Sequence, residues 1–311
     1  MHRLGNALAI VNPAAQNGNG AKGAAFLKYA GASDASPFHS LDIKTTHRPG
    51  HARRLAAAAS EYDAVIVVGG DGVVHETVAG LLDIERSRRP VLGLLPCGNG
   101  NDYARTIGMP LDFESAFAAL ATSTSRAVDV GVVNGAPFMQ TLSFGLDAAI
   151  ALGTHERRAK TGHTGTRLFL EEGIEQIAFH RDEYGYALSI DGKSPEKGSM
   201  FLFAVQIGPT YGGGFKVCPK ADPCDGVFDY CIAHPPIGLV RAAKLFLKAK
   251  DGKHTGYDDV LSFGHASHMS VSFSSPPPVQ VDGEPLAGKS FDISLLPREI
   301  DVLFSTEGPC V

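Results

Sequence analysis

The chain has no tryptophan, few charged residues and no long hydrophobic run. Charged side chains make up 20% of its 311 residues, and the net charge is −5. No stretch approaches the roughly 20 apolar residues that a transmembrane helix needs. A negative chain has no global basic field to recruit nucleic acid or an anionic membrane. We therefore expect a cytoplasmic protein with no nucleic-acid partner, whose membrane contact, if it has one, is local.

The cysteines also lack a pattern. There are five, an odd number, and no two are spaced as CxxC. Reduced thiols in a cytosolic protein are the simplest interpretation of this odd, unpatterned set. The five are Cys97, Cys218, Cys224, Cys231 and Cys310.

The first part of the chain alternates strand and helix patterns. Apolar β-branched runs alternate with segments in which apolar residues recur at helical spacing. This order is typical of a parallel sheet with helices on both faces. The predicted strands are 8–11, 41–45, 64–68 and 91–95, and the predicted helices are 20–30, 50–60, 74–82 and one around 113–120.

The pattern changes near residue 126, and we place a domain boundary near residue 130. From there hairpin signals dominate, with Asn134-Gly135 as a type I′ turn and Asp191-Gly192 between residues 186–190 and 200–207 as a second hairpin signal. The second part is therefore predicted to be mostly antiparallel β. Its predicted strands are 128–133, 138–144, 186–190, 200–207, 227–233, 268–274 and 299–304, with helices at 166–179 and 237–249.

Two glycine-rich turns follow neighbouring predicted strands. The first is Gly69-Gly70-Asp71-Gly72, and the second runs from Gly98 through Asn99 to Asp102. Glycines between a strand and a helix let the backbone approach a phosphate, and the helix start offers N–H donors. A carboxylate beside a phosphate needs a cation between them, so the turns predict a nucleotide–metal site. Both would face one crevice at the carboxyl edge of the sheet.

Two weaker candidates lie at the same edge. Asn12 follows the first predicted strand and Thr46 follows the second. Each is an ordinary turn residue when taken alone.

The second part carries three further candidates. Gly212-Gly213-Gly214 requires an unhindered backbone. Asp222 and Asp225 lie in a Gly/Pro loop whose oxygens suit a hard cation, although the residues alone favour an Asx-type turn. Glu284 ends a predicted strand and suits a general base, or a solvated hairpin tip.

Taken together, these motifs resemble the diacylglycerol kinase catalytic-domain family, specifically bacterial lipid kinases that are also similar to sphingosine kinases. The matching residues occur in family order along nearly the whole chain. They are Asn12-Pro13, Gly69-Gly70-Asp71-Gly72 with Glu76, Gly98 to Arg105, Gly212-Gly213-Gly214, Pro219 to Asp229, and Asp282-Gly283-Glu284.

The resemblance implies a fold and an activity. The fold is an N-terminal NAD kinase-like or 6-phosphofructokinase-like α/β domain, residues 1–130 with 293–311, and a C-terminal antiparallel β-sandwich-like domain, residues 131–292. The activity is an ATP- and Mg²⁺-dependent kinase that phosphorylates a hydroxyl of diacylglycerol or a related lipid. ATP is expected between the two domains.

The resemblance also implies roles for single residues. Glu284 would be the catalytic base, and Asp71, Asp102 and Asp129 would organise the catalytic Mg²⁺. Asp222, Asp225 and the carbonyl of Val227 would hold a second, structural Mg²⁺. The nucleotide would be lined by Asn12, Thr46, Gly69, Gly70, Asp71, Gly72, Val73, Val74, His75 and Asn99.

Two residues depart from the family pattern, which usually has threonine at the positions of Val73 and Asn99. The alternatives are therefore an NAD kinase-like small-molecule kinase, or a catalytically weak nucleotide- or lipid-binding regulator. The expected partner is a lipid at the membrane surface, reached by transient peripheral contact, and a homodimer stays open. Two basic clusters could contact anionic headgroups or could simply be solvated surface. One is Arg157, Arg158 and Lys160, and the other is Arg241, Lys244 and Lys248.

Overall fold

The computed structural model describes residues 4–33, 35–163, 165–180 and 182–305. The chain divides into two compact units, unit 1 of residues 1–128 with 298–311 and unit 2 of residues 129–297. The predicted boundaries were 130 and 293. Residues 293–297, predicted with the first domain, group with unit 2, because Ile293 and Ser294 pair with Met269 and His268 of that unit.

Unit 1 contains a parallel sheet. Its strand order is β2-β1-β3-β4, and the last strand of the chain adds Val302 beside Leu92 in parallel. Strand β3 is buried along its whole length, as its unbroken apolar run predicts. The strands are β1 (Asn6–Val11), β2 (Ser40–Thr45), β3 (Ala64–Gly69) and β4 (Val91–Pro96).

Helices follow the strands of unit 1, which confirms the predicted alternation. The third helix begins at Asp71, three residues before its predicted start, because Val73 and Val74 donate their N–H groups to the carbonyl of Gly70. The helices are α1 (Asn19–Ala30), α2 (His51–Ala57), α3 (Asp71–Leu81), α4 (Asp102–Thr106) and α5 (Phe113–Leu120).

Unit 2 contains two antiparallel sheets, which confirms the predicted sandwich-like fold. In one sheet the order is β16-β13-β8-β9, with β5 paired to β16 and β6; in the other it is β12-β11-β10-β7-β14-β15. The strands are β5 (Thr124–Val133), β6 (Ala136–Phe138), β7 (Thr141–Gly145), β8 (Tyr184–Ile190), β9 (Glu196–Met200), β10 (Leu202–Gln206), β11 (Phe228–Ala233), β12 (Leu261–Ala266), β13 (His268–Phe273), β14 (Val279–Val281), β15 (Glu284–Pro285) and β16 (Ser290–Phe304).

Phenylalanines fill the core between these two sheets. The Phe144 ring lies 5.4 Å from Phe203, 5.2 Å from Phe273 and 5.1 Å from Phe291, centroid to centroid. Alternate residues of β7, β10 and β13 contribute apolar side chains to this core, as period-2 patterning predicts.

Three helices form a second core of unit 2 with residues of β10, β11 and β12. They are α6 (Leu146–Thr161), α7 (Gly165–Phe179) and α8 (Leu239–Ala249). Phe169 of α7 lies 6.1 Å from Phe246 of α8, and both rings contact Phe215. None of the described helices is long and apolar enough to cross a membrane. Helix α6 was not predicted.

One strand prediction and one pairing prediction in unit 2 were wrong. Residues 138–144 form two strands, β6 and β7, because the N–H groups of Met139, Gln140 and Thr141 donate to the Asp282 carboxylate. The second hairpin pairs β8 with β9, not with residues 200–207. Leu202–Gln206 instead pairs with β7 and β11 in the other sheet.

Asp147 is a buried carboxyl group at the start of α6. Its side chain lines an apolar cavity of about 80 Å³ and accepts a hydrogen bond from the Tyr211 hydroxyl. Its Oδ2 has no hydrogen-bond partner within the described ranges. Burial raises the pKa of Asp147 to about 7, against a smaller opposing effect of a hydrogen bond from Ser143.

This shift predicts a pH-dependent stability. Between the ordinary pKa of 3.8 and the folded pKa of about 7, the unfolded chain loses the Asp147 proton while the folded chain keeps it. The free energy of unfolding therefore falls by roughly 3 to 4 kcal/mol from pH 4 to pH 7 through this group, and the loss is complete above pH 7. Urea unfolding of the wild type and of Asp147→Asn across this range measures the difference. Parallel pH curves for the two proteins would contradict the assignment.

Candidate functional site

The carboxyl edge of the unit 1 sheet brings several predicted residues together. The N–H of Asn12 donates to the carbonyl of Val68 at 2.9 Å, and the N–H of Thr46 donates to Val11 at 2.8 Å. Strand β1 lies between β2 and β3, so the chain changes direction across the sheet at this point. Crevices at such switch points are where open α/β sheets bind ligands.

The two glycine turns touch each other. A Cβ atom on Gly70 would lie 2.7 Å from the Cα of Gly98, and one on Gly98 would lie 2.3 Å from the Cα of Gly70. The N–H of Cys97 also donates to the carbonyl of Gly69 at 2.8 Å. Only glycine at both positions permits this backbone approach. The two predicted turns are therefore adjacent within unit 1, and the crevice that both would face stays a prediction.

The carboxylate of Asp71 reaches across to the second turn. Its Oδ1 accepts the backbone N–H of Tyr103 at 3.0 Å, directly after Asp102. Asp102 itself is buried in the first turn of α4. Two acidic residues therefore lie at adjacent helix starts, where the backbone dipole favours negative charge.

Asn101 and Asn99 have different functions in the second turn. The Asn101 side chain accepts from the N–H of Gly98 at 2.7 Å and donates to its carbonyl at 3.0 Å, which closes the turn. Asn99 carries a buried side-chain oxygen with no hydrogen-bond partner in the part of the chain that the structure describes. A buried acceptor of this kind suits a ligand donor such as an amino or hydroxyl group.

The first turn of α3 has an open side and a packed side. Nothing lies within 4 Å of a Cβ built on Gly72, so space is open above this residue. Val73 packs its side chain against Gly69, and Val74 is buried. His75 is half-buried. Val73 thus packs against the glycine turn and offers no hydroxyl group at a position where the resemblance predicts threonine.

Glu76 is part of a motif that resembles the family's, but its carboxylate makes hydrogen bonds that stabilise the fold. Its carboxylate accepts the N–H groups of Gly50 at 2.7 Å and Ala52 at 3.0 Å. These donors are at the start of α2, so Glu76 caps that helix. The sequence match alone does not distinguish this function from a catalytic one.

In unit 2, the Asp282-Gly283-Glu284 segment is a tight hairpin between β14 and β15. Asp282 and Gly283 have φ angles of 48° and 92°, and Val281 pairs with Glu284. The Asp282 carboxylate accepts three backbone N–H groups at 2.8 to 3.0 Å, and Gln280 accepts the N–H of Gly283 at 2.7 Å. Glu284 is exposed at the tip.

Sequence reasoning missed the positioning functions of Asp282 and Gln280. The available signal was a glutamine between two valines in a strand that is otherwise apolar. Gln280 is fully buried and donates to the Ser143 hydroxyl at 2.8 Å. A buried amide at such a position needs partners, and here they fix the tip that carries Glu284.

Asp129 contacts the acidic loop of its own unit. It is completely buried; its N–H donates to the carbonyl of Pro223 at 2.8 Å, and its Oδ2 accepts the N–H of Gly226 at 2.7 Å. Asp71 and Asp102 belong to unit 1. The structure therefore joins Asp71 to the Asp102 turn, and joins Asp129 to the loop of residues 222–227.

That loop has the geometry of Asx turns. Asp222 accepts the N–H of Cys224 at 2.9 Å, and Asp225 accepts the N–H of Val227 at 3.1 Å. Burial raises the pKa of Asp225, and the nearby carboxylates of Asp222 and Asp129 raise it further. The loop thus concentrates negative charge that a hard cation would relieve.

The donor set is compatible with Mg²⁺ but sparse. Within the described ranges, no three His, Cys, Asp or Glu side chains converge on one metal position. Mg²⁺ commonly binds through one or two carboxylates and keeps several waters. Asp222 and Asp225 with backbone carbonyls such as that of Val227 fit this pattern.

The three glycines of residues 212–214 form a loop beside α7. All three have positive φ angles, and Tyr211 and Phe215 exchange two backbone hydrogen bonds across them. A Cβ on Gly213 would lie 2.8 Å from the backbone nitrogen of Thr166. The predicted need for an unhindered backbone is confirmed, and its cause is packing within unit 2.

Comparison with known proteins places the two parts of the chain with two family models. Residues 6–133 match the diacylglycerol kinase catalytic domain, and residues 140–304 match the YegS C-terminal NAD kinase beta sandwich-like domain. The chain is 30% identical to the diacylglycerol kinase of Bacillus subtilis over 229 residues, 73% of each chain. It is 28% identical to a probable lipid kinase YegS-like protein of Pseudomonas aeruginosa over 272 residues, 86% of each chain.

A solved structure shares the fold. A diacylglycerol kinase from Bacillus anthracis superposes with a TM-score of 0.74, covers 97% of each chain and has 22% sequence identity. At this identity the likeness concerns the fold alone.

The contact between the glycine turns predicts a split between two glycine variants. Gly98→Ala places a methyl group against the backbone of Gly70, so we expect the free energy of unfolding to fall by roughly 1 to 3 kcal/mol. Gly72→Ala, the matched control, adds a methyl group in open space within a helix and should be neutral or stabilising by up to about 1 kcal/mol. Chemical denaturation of both variants measures this; equal losses would contradict the contact.

Proposed function

Because the chain belongs to the diacylglycerol kinase catalytic-domain family, we propose that it is an ATP- and Mg²⁺-dependent kinase that phosphorylates a hydroxyl of diacylglycerol or a related lipid. The observation that carries this proposal is the backbone contact between Gly70 and Gly98, with the carboxylate of Asp71 bound to the second turn. Phosphoryl transfer asks a protein mainly for positioning and charge neutralisation. The glycine turns suit the positioning, and Asp71 is a carboxylate that could hold the neutralising cation.

The nucleotide is proposed to bind at the carboxyl edge of the unit 1 sheet. The open space at Gly72 and the N-terminus of α3 suit a phosphate, since backbone N–H groups and the helix dipole favour an anion there. The Asn99 oxygen, which has no partner among the described residues, suits a donor on the nucleoside. The other proposed contacts come from Asn12, Thr46, Gly69, Gly70, Val73, Val74 and His75.

Mg²⁺, when bound, neutralises the charge that develops on the transferred phosphoryl group and the leaving diphosphate. Asp71 and Asp102 are its proposed unit 1 partners, acting mainly through water, and Asp129 is the third carboxylate of this set. Asp222, Asp225 and the Val227 carbonyl are the proposed partners of a second, structural ion.

Glu284 is proposed as the general base. It would accept the proton of the lipid hydroxyl while that oxygen forms its bond to the γ-phosphorus and ADP leaves. The exposure of Glu284 and the five backbone and side-chain hydrogen bonds around Asp282 and Gln280 support this assignment, because a base needs both access and a fixed position.

The proposal is tested by incubating the protein with labelled ATP, Mg²⁺ and a panel of lipid acceptors, with NAD as a separate acceptor. The panel contains diacylglycerol, phosphatidylglycerol and a sphingoid base. Label in one lipid product supports the proposal and names the lipid. Label in NAD alone would replace it with an NAD kinase-like activity, and ATP binding without any labelled product would indicate a regulator.

Replacing the proposed base separates chemistry from binding. We expect Glu284→Gln to lower turnover by about a hundred- to ten-thousand-fold, because the amide cannot accept the proton, while ATP binding is retained. Initial rates and equilibrium ATP binding measure the two effects. Glu183→Gln, an exposed acid of the same unit, is the matched control and should be silent. Unchanged turnover in Glu284→Gln would remove this residue from the mechanism.

The proposed structural ion is tested without any activity assay. Mg²⁺ should raise the Tm of the wild type, since binding to the folded state alone stabilises it by mass action. Asp225→Asn keeps an acceptor for the N–H of Val227 but removes the charge, so its Tm should respond less to Mg²⁺ than that of the wild type. Asp258→Asn, exposed in the same unit, should respond like the wild type. An equal response of all three proteins would exclude this loop as the site.

A further inference from the structure

Helix α8 has apolar residues on the side that faces solvent. Its inner side is buried through Leu245 and Ala249, as expected for an amphipathic helix. Its outer side, however, exposes Val240 at 82%, Leu247 at 53% and Leu239 at 46%. Single exposed apolar residues need no explanation, but three on one 11-residue helix form a patch.

Basic side chains surround this patch. Residues 239–253 carry five lysines and arginines and a single acidic residue, Asp251, in a chain whose net charge is −5. Two of the five are paired, because Arg241 binds Asp259 at 2.7 Å and Lys253 binds Asp251 at 3.3 Å. The other three are Lys244, Lys248 and Lys250.

Two of these lysines belong to the patch itself. Leu239, Val240, Lys244, Leu247 and Lys248, together with Ala243, line one shallow groove, which Asp251 and its ion-pair partner Lys253 also line. Lys248 also lies over the Tyr257 ring, 5.4 Å from its centroid. Lysine side chains beside apolar residues can lay their alkyl stems along an apolar layer while the ammonium groups reach its polar boundary. We call this set, Leu239, Val240, Ala243, Lys244, Leu247 and Lys248, the α8 face.

We propose that the α8 face docks unit 2 on the surface of an anionic phospholipid bilayer. Val240 and Leu247 enter the boundary between headgroups and acyl chains, and Lys244 and Lys248 bind the lipid phosphates. Apolar residues flanked by lysines are the composition of interfacial helices. The inference rests on the proposed lipid kinase function, since an acceptor held in a bilayer must be reached at its surface.

The charge pattern favours a bilayer over a second copy of the chain. A two-fold dimer through this face would place the same surface against itself. Lys244 and Lys248 would then lie close to their own copies, and like charges across an interface oppose association. An anionic bilayer instead accepts the apolar residues and the lysines at once.

The experiment is vesicle sedimentation without nucleotide. Vesicles of equal parts phosphatidylcholine and phosphatidylglycerol are compared with vesicles of phosphatidylcholine alone. The wild type should bind the anionic vesicles at least tenfold more tightly, because two lysines near the surface contribute about fivefold each. No binding of the wild type to the anionic vesicles would overturn the inference.

Two double variants separate the apolar and electrostatic contributions to vesicle binding. Val240→Ser with Leu247→Ser should weaken binding about tenfold or more, because the apolar residues no longer enter the bilayer. Lys244→Gln with Lys248→Gln should abolish the preference for phosphatidylglycerol. Tyr29→Ser, which changes an 84% exposed aromatic residue of unit 1, is the matched control and should bind like the wild type. Wild-type binding by both double variants would overturn the inference, and thermal melting checks that all variants fold.

Activity on a dispersed substrate keeps this inference separate from the proposed function. On a short-chain lipid acceptor in solution, the α8 variants should retain wild-type turnover while losing turnover on vesicles. Vesicle binding that depends on α8, without phosphorylation of any lipid, would leave the docking in place and overturn the function. Lipid phosphorylation by a protein whose vesicle binding does not depend on α8 would support the proposed function and overturn the docking inference. Light scattering tests the alternative occupant. If the wild type is a dimer, and the α8 variants are monomers that still bind vesicles, the α8 face is the contact with a second copy of the chain and not with a bilayer.

Discussion

The candidate site in unit 1 depends on the approach of two backbones at Gly70 and Gly98. These glycines follow neighbouring parallel strands, and each leaves no room for a Cβ on the other. The contact brings the start of α3 beside the start of α4, which lets Asp71 accept the N–H of Tyr103. Donor groups, open space and carboxylates are therefore collected at one edge of one sheet, where a phosphate and its cation could be held together.

In unit 2, the position of the candidate base Glu284 is fixed by a network of polar hydrogen bonds around Asp282 and the buried Gln280. Asp282 accepts hydrogen bonds from three backbone N–H groups where the chain passes from β6 to β7. Gln280 accepts a fourth from Gly283. The Asp282 carboxylate, whose hydrogen bonds separate β6 from β7, thus also fixes the hairpin tip that exposes Glu284. The rigid acceptor network and the exposed carboxylate are two parts of one motif, and only the second has the form of a catalytic group.

Buried strands were predicted well where the hydrophobic run alone specifies them. Strand β3 and the glycine turn after it are determined locally, because a continuous β-branched run followed by glycines has few other structures. Residues 200–207 show the limit. Their apolar pattern correctly indicates a strand, but β8 pairs with β9 and this strand pairs with β7 and β11. Pairing is a choice among distant partners of similar pattern. Helix α6 was missed for a different reason, because its second half, residues 154–161, is polar and offers few apolar residues at helical spacing.

The sequence by itself determined the residue types at the glycine turns, the order of the motifs and the two fold classes, since these follow from local spacing and from family order. Only the tertiary structure decided how individual polar groups are used. It assigned Glu76 to the cap of α2, tied Asp129 to the acidic loop and left the apolar residues of the α8 face toward solvent. A side chain's partners come from elements far away along the chain, and local pattern carries no record of them.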